Sequence, residues 1–241
     1  MNALELEQIY LRRGEFLLRN INFAIGEGEF VALEGRSGAG KTTLIELIGN
    51  AILADAGCIR YFGVQMYEDE ANIRRRMSVM YDSPNMNTEF TAGRMAKEIG
   101  RFEPFFEQER FARYAKELQL DTGMRIKHYS KGMQKKYMLA LALARTPELL
   151  VMDEPTGGLD EGSREDFYRL LEDYQKERSL TILFSTHHVQ DVATLAGRNL
   201  RIEAGALAEQ EEAPPDKARE VGNATAANGG HGIPAEDGGV R

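Results

Sequence analysis

The segment GRSGAGKT, Gly35 to Thr42, sets two glycines around four residues and follows them with lysine and threonine. That spacing suits a loop that cradles phosphate. Glycines let backbone N–H groups turn inward around anionic oxygens, and a helix starting there presents its positive end to the same anion. Arg36, Ser37, Gly38, Ala39 and Gly40 form the loop, Lys41 is expected to reach the β and γ phosphates, and Thr42, followed by Thr43, offers a hydroxyl to Mg²⁺. A second acidic element, LLVMDEP, places Asp153 and Glu154 at the end of an apolar run. Its strand is expected beside the strand of the phosphate loop, with Asp153 holding Mg²⁺ through water and Glu154 polarising a water that attacks the γ phosphate. A third carboxylate, Asp82, ends the run MSVMYD two residues before Pro84. Beside a triphosphate such a charge is attractive toward a metal and repulsive toward phosphate.

The elements that must position these groups follow from hydropathy. LELEQIYL, LLRNINFAI and EFVALEG read as strands separated by turns, and RSGAGKTTLIELIGN passes from glycines to apolar residues at helical spacing. From about 92 to 146 the pattern is helical, with FEQERFARYAKELQL and KGMQKKYMLALALAR amphipathic. Ser130 stands where a helix N-cap belongs, and Gly132 leaves the backbone open beside it. ELLVMD and LTILFST are continuous apolar runs, as in parallel strands buried on both faces, with the helix SREDFYRLLEDYQKER between them. The order implies an α/β core with a helical insertion. From about Glu209 the chain turns rich in Gly, Ala, Pro and acidic residues, a composition expected to stay disordered.

Composition narrows the partners. The 241 residues carry 30 Lys and Arg against 38 Asp and Glu, a net charge of -8, which lacks the basic footprint of a nucleic-acid coat. Cys58 is alone and forms neither an internal disulfide nor a cysteine metal cluster. No apolar stretch approaches the ~20 residues of a spanning helix, and the N-terminus lacks the basic and apolar regions of a signal peptide. A cytosolic chain is therefore expected, one that reaches a membrane through something else.

Taken in order, the phosphate loop, HYSKGMQKK at 128 to 136 and the Asp153–Glu154 pair resemble the ATP-binding cassette (ABC) family, the motor subunits of ABC transporters. GLD, Gly158 to Asp160, matches that family's D-loop, and STHH places His187 at its switch histidine; His188 is expected to be structural. The resemblance covers residues 4 to about 208. It implies a P-loop NTPase of ABC type, with a RecA-like core, an N-terminal antiparallel β portion and a helical subdomain inserted at about 86–146.

It also implies ATP and Mg²⁺ as cofactors, Glu154 and His187 as catalytic residues, and Thr42 and Asp153 at the metal. Each ATP would be sandwiched between the phosphate loop of one chain and the signature, with Ser130 and Gly132, of another, Asp160 lying nearby. The working unit is then a homodimer or heterodimer that drives a separate permease from the cytoplasmic face of the membrane. No nucleic acid is implied. The permease is expected in a groove near Met86, Phe90 and Met95.

The sequence departs from the family at three places. Arg13 stands where many relatives stack an aromatic ring on adenine, with Tyr10 and Phe16 as alternatives. The signature reads YSKGMQ, so Lys131 replaces a glycine and Met133 a glutamine, which resembles the ABC-2-type exporter branch of bacterial peptide and antimicrobial export. Asp82 occupies the place of the Q-loop glutamine, which implies contact with Mg²⁺ and a role in sensing the permease. These departures motivate a second reading, a hydrolysis-poor, nucleotide-gated regulatory module; a soluble cassette ATPase outside transport is a third.

Overall fold

The chain folds as two sheets that share one interior, and the reason is visible in β1, Asn2–Arg13. Leu4 and Leu6 point into the core, then Ile9 and Leu11, so the alternation slips by one residue. Gln8, in the left-handed region at φ 49, takes up the slip, and the register with β2, Phe16–Gly26, shifts between Leu6 and Ile9. A local bulge thus keeps one face apolar along twelve residues. With β4 (Ala56–Tyr61) and β5 (Val64–Gln65) these strands form an antiparallel sheet in the order β2-β1-β4-β5. The computed structural model describes residues 1–208, and the tail from Glu209 onward, expected to be disordered, lies outside the described residues.

The second sheet contains β3 (Phe30–Glu34), β6 (Met77–Met80), β7 (Leu149–Met152), β8 (Thr181–Thr186), β9 (Arg198–Glu203) and β10 (Ala206–Leu207). Their order is β10-β9-β3-β8-β7-β6, parallel throughout except for β10. Leu150 and Met152 of β7 join one hydrophobic cluster while Leu149 and Val151 join the other, and Leu183 opposes Ile182 and Phe184 in the same way. This is the two-faced burial expected of the runs ELLVMD and LTILFST. One expectation is corrected: β7 does not lie beside β3. β8 separates them, because its six residues are all buried and pair on both edges.

Helix α1, Lys41–Ile48, follows β3 through the glycine loop, and α2, Glu70–Arg76, leads into β6. The helical insertion comprises α3 (Ala92–Phe102), α4 (Gln108–Glu117), a 3₁₀ turn at Ile126–His128 and α5 (Lys131–Leu143). Ser130 caps α5, its hydroxyl accepting from the N–H of Met133 at 3.1 Å. Every residue from Lys135 to Leu143 is buried, so α5 is apolar almost all round and forms the axis of the insertion. Helices α6 (Glu161–Glu177) and α7 (Val189–Leu195) complete the α/β core. Among the described residues no helix is long and apolar enough to cross a membrane.

Candidate functional site

The glycine loop is shaped by what presses on it. Gly40 has φ 112, and a Cβ there would lie 2.7 Å from Phe16 Cζ and 2.9 Å from Leu18 Cδ2, so β2 closes over the loop where a side chain has no room. Gly38, at φ 79, faces open space. The first bond within α1 runs from the N–H of Leu44 to the carbonyl of Gly40 at 2.9 Å, and no side chain caps the helix. The N–H groups of Lys41, Thr42 and Thr43 are therefore left at the helix mouth with no intrahelical acceptor. These are the donors that an anion takes up.

Lys41 is buried and already aimed: its Nζ donates to the Gly35 carbonyl at 2.7 Å and stands 3.4 Å from Glu154 Oε1. Asp153 is buried, and its Oδ1 accepts from the Ser185 hydroxyl at 2.6 Å, while the N–H of Glu154 donates to the same Ser185 Oγ at 2.9 Å. Ser185 of the interposed strand β8 thus ties both carboxylate residues to the sheet that carries the phosphate loop. Glu154 has φ 45, a left-handed backbone that is strained for a residue with a side chain. Its Oε2 lies 2.8 Å from His187 Nδ1. His188 packs against His187, with ring centroids 4.0 Å apart and the planes tilted by 37°.

A cavity of about 880 Å³ gathers these groups. It is lined by the loop from Arg36 through Thr43, with Asp153, Glu154, His187, Asp82, Arg13 and Phe16 among its walls. Of the three candidates for the base, Arg13 and Phe16 line this cavity and Tyr10 does not. Arg13 is held by an ion pair to Glu46 of α1, and Phe16 packs on Gly40. Ser130, Gly132 and Asp160 stand outside the lining. They form a second locus in which Gly132 and Lys131 pack on Leu159 and Gly158, and Asp160 caps α6 by accepting from the N–H of Ser163 at 2.7 Å. That bond holds the Asp160 carboxyl below its usual range.

Sequence reasoning missed two groups. Asp191 of α7 is fully buried and accepts from Thr156 at 2.6 Å, from Thr186 at 2.7 Å and from Tyr168. It binds the segment after Glu154 to the residue before His187. Lys135 of α5 is buried and donates to Asp82 Oδ1 at 2.8 Å, with the Asp153 carbonyl 3.5 Å away. A lysine at the start of an apolar helix was the available signal, since a buried ammonium calls for a carboxylate. Phe90, expected in the groove beside Met86 and Met95, instead lies under Arg94 at 3.9 Å and outside the groove lining.

The donor set matches a magnesium nucleotide. Thr42 and Asp153 share the cavity wall with Asp82, and among the described residues no cluster of three or more His, Cys, Asp or Glu side chains forms a dedicated metal cage. Magnesium is held by one or two protein oxygens together with phosphate oxygens, which is what such a wall can offer. Glycine loop, open helix mouth and buried lysine together define a P-loop nucleotide-binding protein.

The chain belongs to the ABC transporter family, whose model matches residues 18–157. It is 30% identical to the ABC transporter ATP-binding protein NatA of Bacillus subtilis over 195 residues, covering 78% of both chains. YtrB of the same organism is 30% identical over 77% of this chain and 63% of its own length. The aliphatic sulfonates import protein SsuB of Burkholderia pseudomallei is 30% identical over 90% of this chain and 64% of its own. The match therefore spans less than two thirds of these last two relatives. The fold superposes on a dimeric, post-hydrolysis structure of the cassette MJ0796 bound to ADP and Pi with a TM-score of 0.75, at 24% identity over 87% of this chain and 98% of that one.

Proposed function

We propose that the chain binds ATP with Mg²⁺, hydrolyses it, and drives a separate membrane permease by closing on a second cassette around two ATP. The observation that carries the reading is the convergence of Lys41, Asp153, Glu154 and His187 on one cavity at the mouth of α1. Lys41 and the α1 N–H groups hold the β and γ phosphates. Thr42 and Asp153 hold the metal, which when bound neutralises phosphate charge. Glu154 takes the proton of the attacking water, and His187, 2.8 Å away, orients that carboxylate. The contact between Glu154 and His187 favours a motor over a hydrolysis-poor module, which has little use for it.

Ser130, capping α5, adds its hydroxyl and helix end to the γ phosphate of the partner chain, with Gly132 and Asp160 at the same edge. Arg13 meets the base by its guanidinium face and Phe16 supplies the nearby ring. The permease is received by a groove of about 530 Å³ between β6 and the insertion, where Met86, Met95, Ile99, Phe102 and Met138 offer flexible apolar surface. Phe102 is 82% exposed at its rim. The chain thereby works at the cytoplasmic face of the membrane. Export is the direction the SKGM signature supports, although SsuB is named for import. Phosphate release from ATP by the purified chain, lost in Lys41→Ala, is the expected result; a parent chain that releases no phosphate would sink the reading.

A further inference from the structure

Asp82 lines the phosphate cavity as a carboxylate, and a bare negative charge there opposes a polyanion. The structure supplies the compensation from a distant element. Lys135 Nζ sits 2.8 Å from Asp82 Oδ1, and its side chain is only 5% exposed whereas Asp82 is 61% exposed. The cation is thus anchored within the protein and the anion faces the cavity. The Asp153 carbonyl, 3.5 Å from the same Nζ, gives the ammonium a second acceptor on the other acidic wall. Lys135 also lies within the second turn of α5, close to the positive end of that helix. A cation there needs a partner, and Asp82 is the one in reach.

We propose that Lys135 is a positioning residue for nucleotide binding, which neutralises Asp82 and holds it back so that an acid can stand beside the phosphates. The pair is a matched exchange: the acid at the end of β6 is tolerable because α5 carries a lysine facing it. Through this pair the wall of the phosphate site is joined to the helix that Ser130 caps. The proposal rests on the nucleotide reading above, and it predicts a dependence on phosphate charge that a purely structural lysine does not have.

The test measures affinities for ATP, ADP and AMP in the presence of EDTA for the full chain and three variants, with melting temperatures recorded for each. Lys135→Gln leaves Asp82 uncompensated and weakens ATP by about tenfold, ADP by less and AMP least, the loss shrinking at high salt. Adding Asp82→Asn to Lys135→Gln restores ATP affinity to near that of the parent. Asp82→Asn alone, with Lys135 still in place, tightens ATP by about threefold or more, and it reads the same charge even if Lys135→Gln fails to fold. Equal losses for all three nucleotides in Lys135→Gln, or an unchanged ATP affinity in Asp82→Asn, would overturn the proposal alone. A parent chain that binds no ATP overturns the nucleotide reading and this proposal with it.

Discussion

Glu154 is held in a left-handed backbone by a bond from its N–H to Ser185 and faces His187 at 2.8 Å. In the proposed mechanism, His187→Ala removes the group that orients the base but leaves the phosphate loop intact. We expect kcat to fall by about 10- to 100-fold with KM for ATP nearly unchanged, measured as steady-state phosphate release. Asp191 shows a different dependence. Three hydroxyls, from Thr156, Thr186 and Tyr168, end on its buried carboxylate. Asp191→Ala strands those donors and should lower stability by about 3 kcal/mol in urea denaturation, since each unsatisfied buried group costs about 1 to 3 kcal/mol. A loss under about 1 kcal/mol would show the three hydroxyls finding other acceptors. Lys41 and Glu154 were legible in the sequence because their motifs are local. Asp191 and Lys135 were not, because two of the three partners of Asp191 lie 23 and 35 residues away and Asp82 lies 53 residues from Lys135. No local spacing encodes such contacts.

Helices in this protein begin where the chemistry needs an edge. Ser130, expected as a helix N-cap, caps α5, and Asp160, placed at a site from motif order alone, proves to be the N-cap of α6. The Asp160 carboxyl is lowered first by the backbone bond from Ser163, so folding favours its charged form. Its folded value lies below its unfolded one, near 3.9 for an ordinary Asp. Its contribution is therefore fully present above about pH 4 and is lost as pH falls through the lowered value. The gap in melting temperature between the parent and Asp160→Ala should be widest near neutrality and narrow as pH falls below the ordinary Asp range, while a gap constant with pH would argue against the cap. Strands were legible where one face or both were apolar, as in ELLVMD and LTILFST. Their order in the sheet was not, because continuous apolar runs carry no record of their neighbours, and β8 took the place expected for β7. The slip in β1 was equally hidden: Gln8 is unremarkable in sequence, and its positive φ arises from keeping Ile9 and Leu11 in the core.

At the scale of the whole molecule, the phosphate cavity and the Ser130 edge are separate loci on one chain. If ATP is sandwiched between one locus of each copy, association needs nucleotide. Sedimentation of Glu154→Gln, expected to bind ATP without turning it over, should shift from monomer to dimer on addition of ATP, and Ser130→Arg in the same background should prevent the shift; association independent of ATP would contradict the sandwich. A twofold partner remains the expectation drawn from one phosphate loop and one signature, and Phe90, expected near the groove with Met86 and Met95, lies under Arg94. The most direct measurement of the central claim is phosphate release from Mg²⁺-ATP by the parent and by Glu154→Gln, with ATP affinity measured on both. Loss of the general base should lower turnover about 100-fold or more while ATP affinity stays within about threefold. Equal turnover in the two proteins would contradict the assignment of Glu154 as the base and, with it, the account of this chain as a motor.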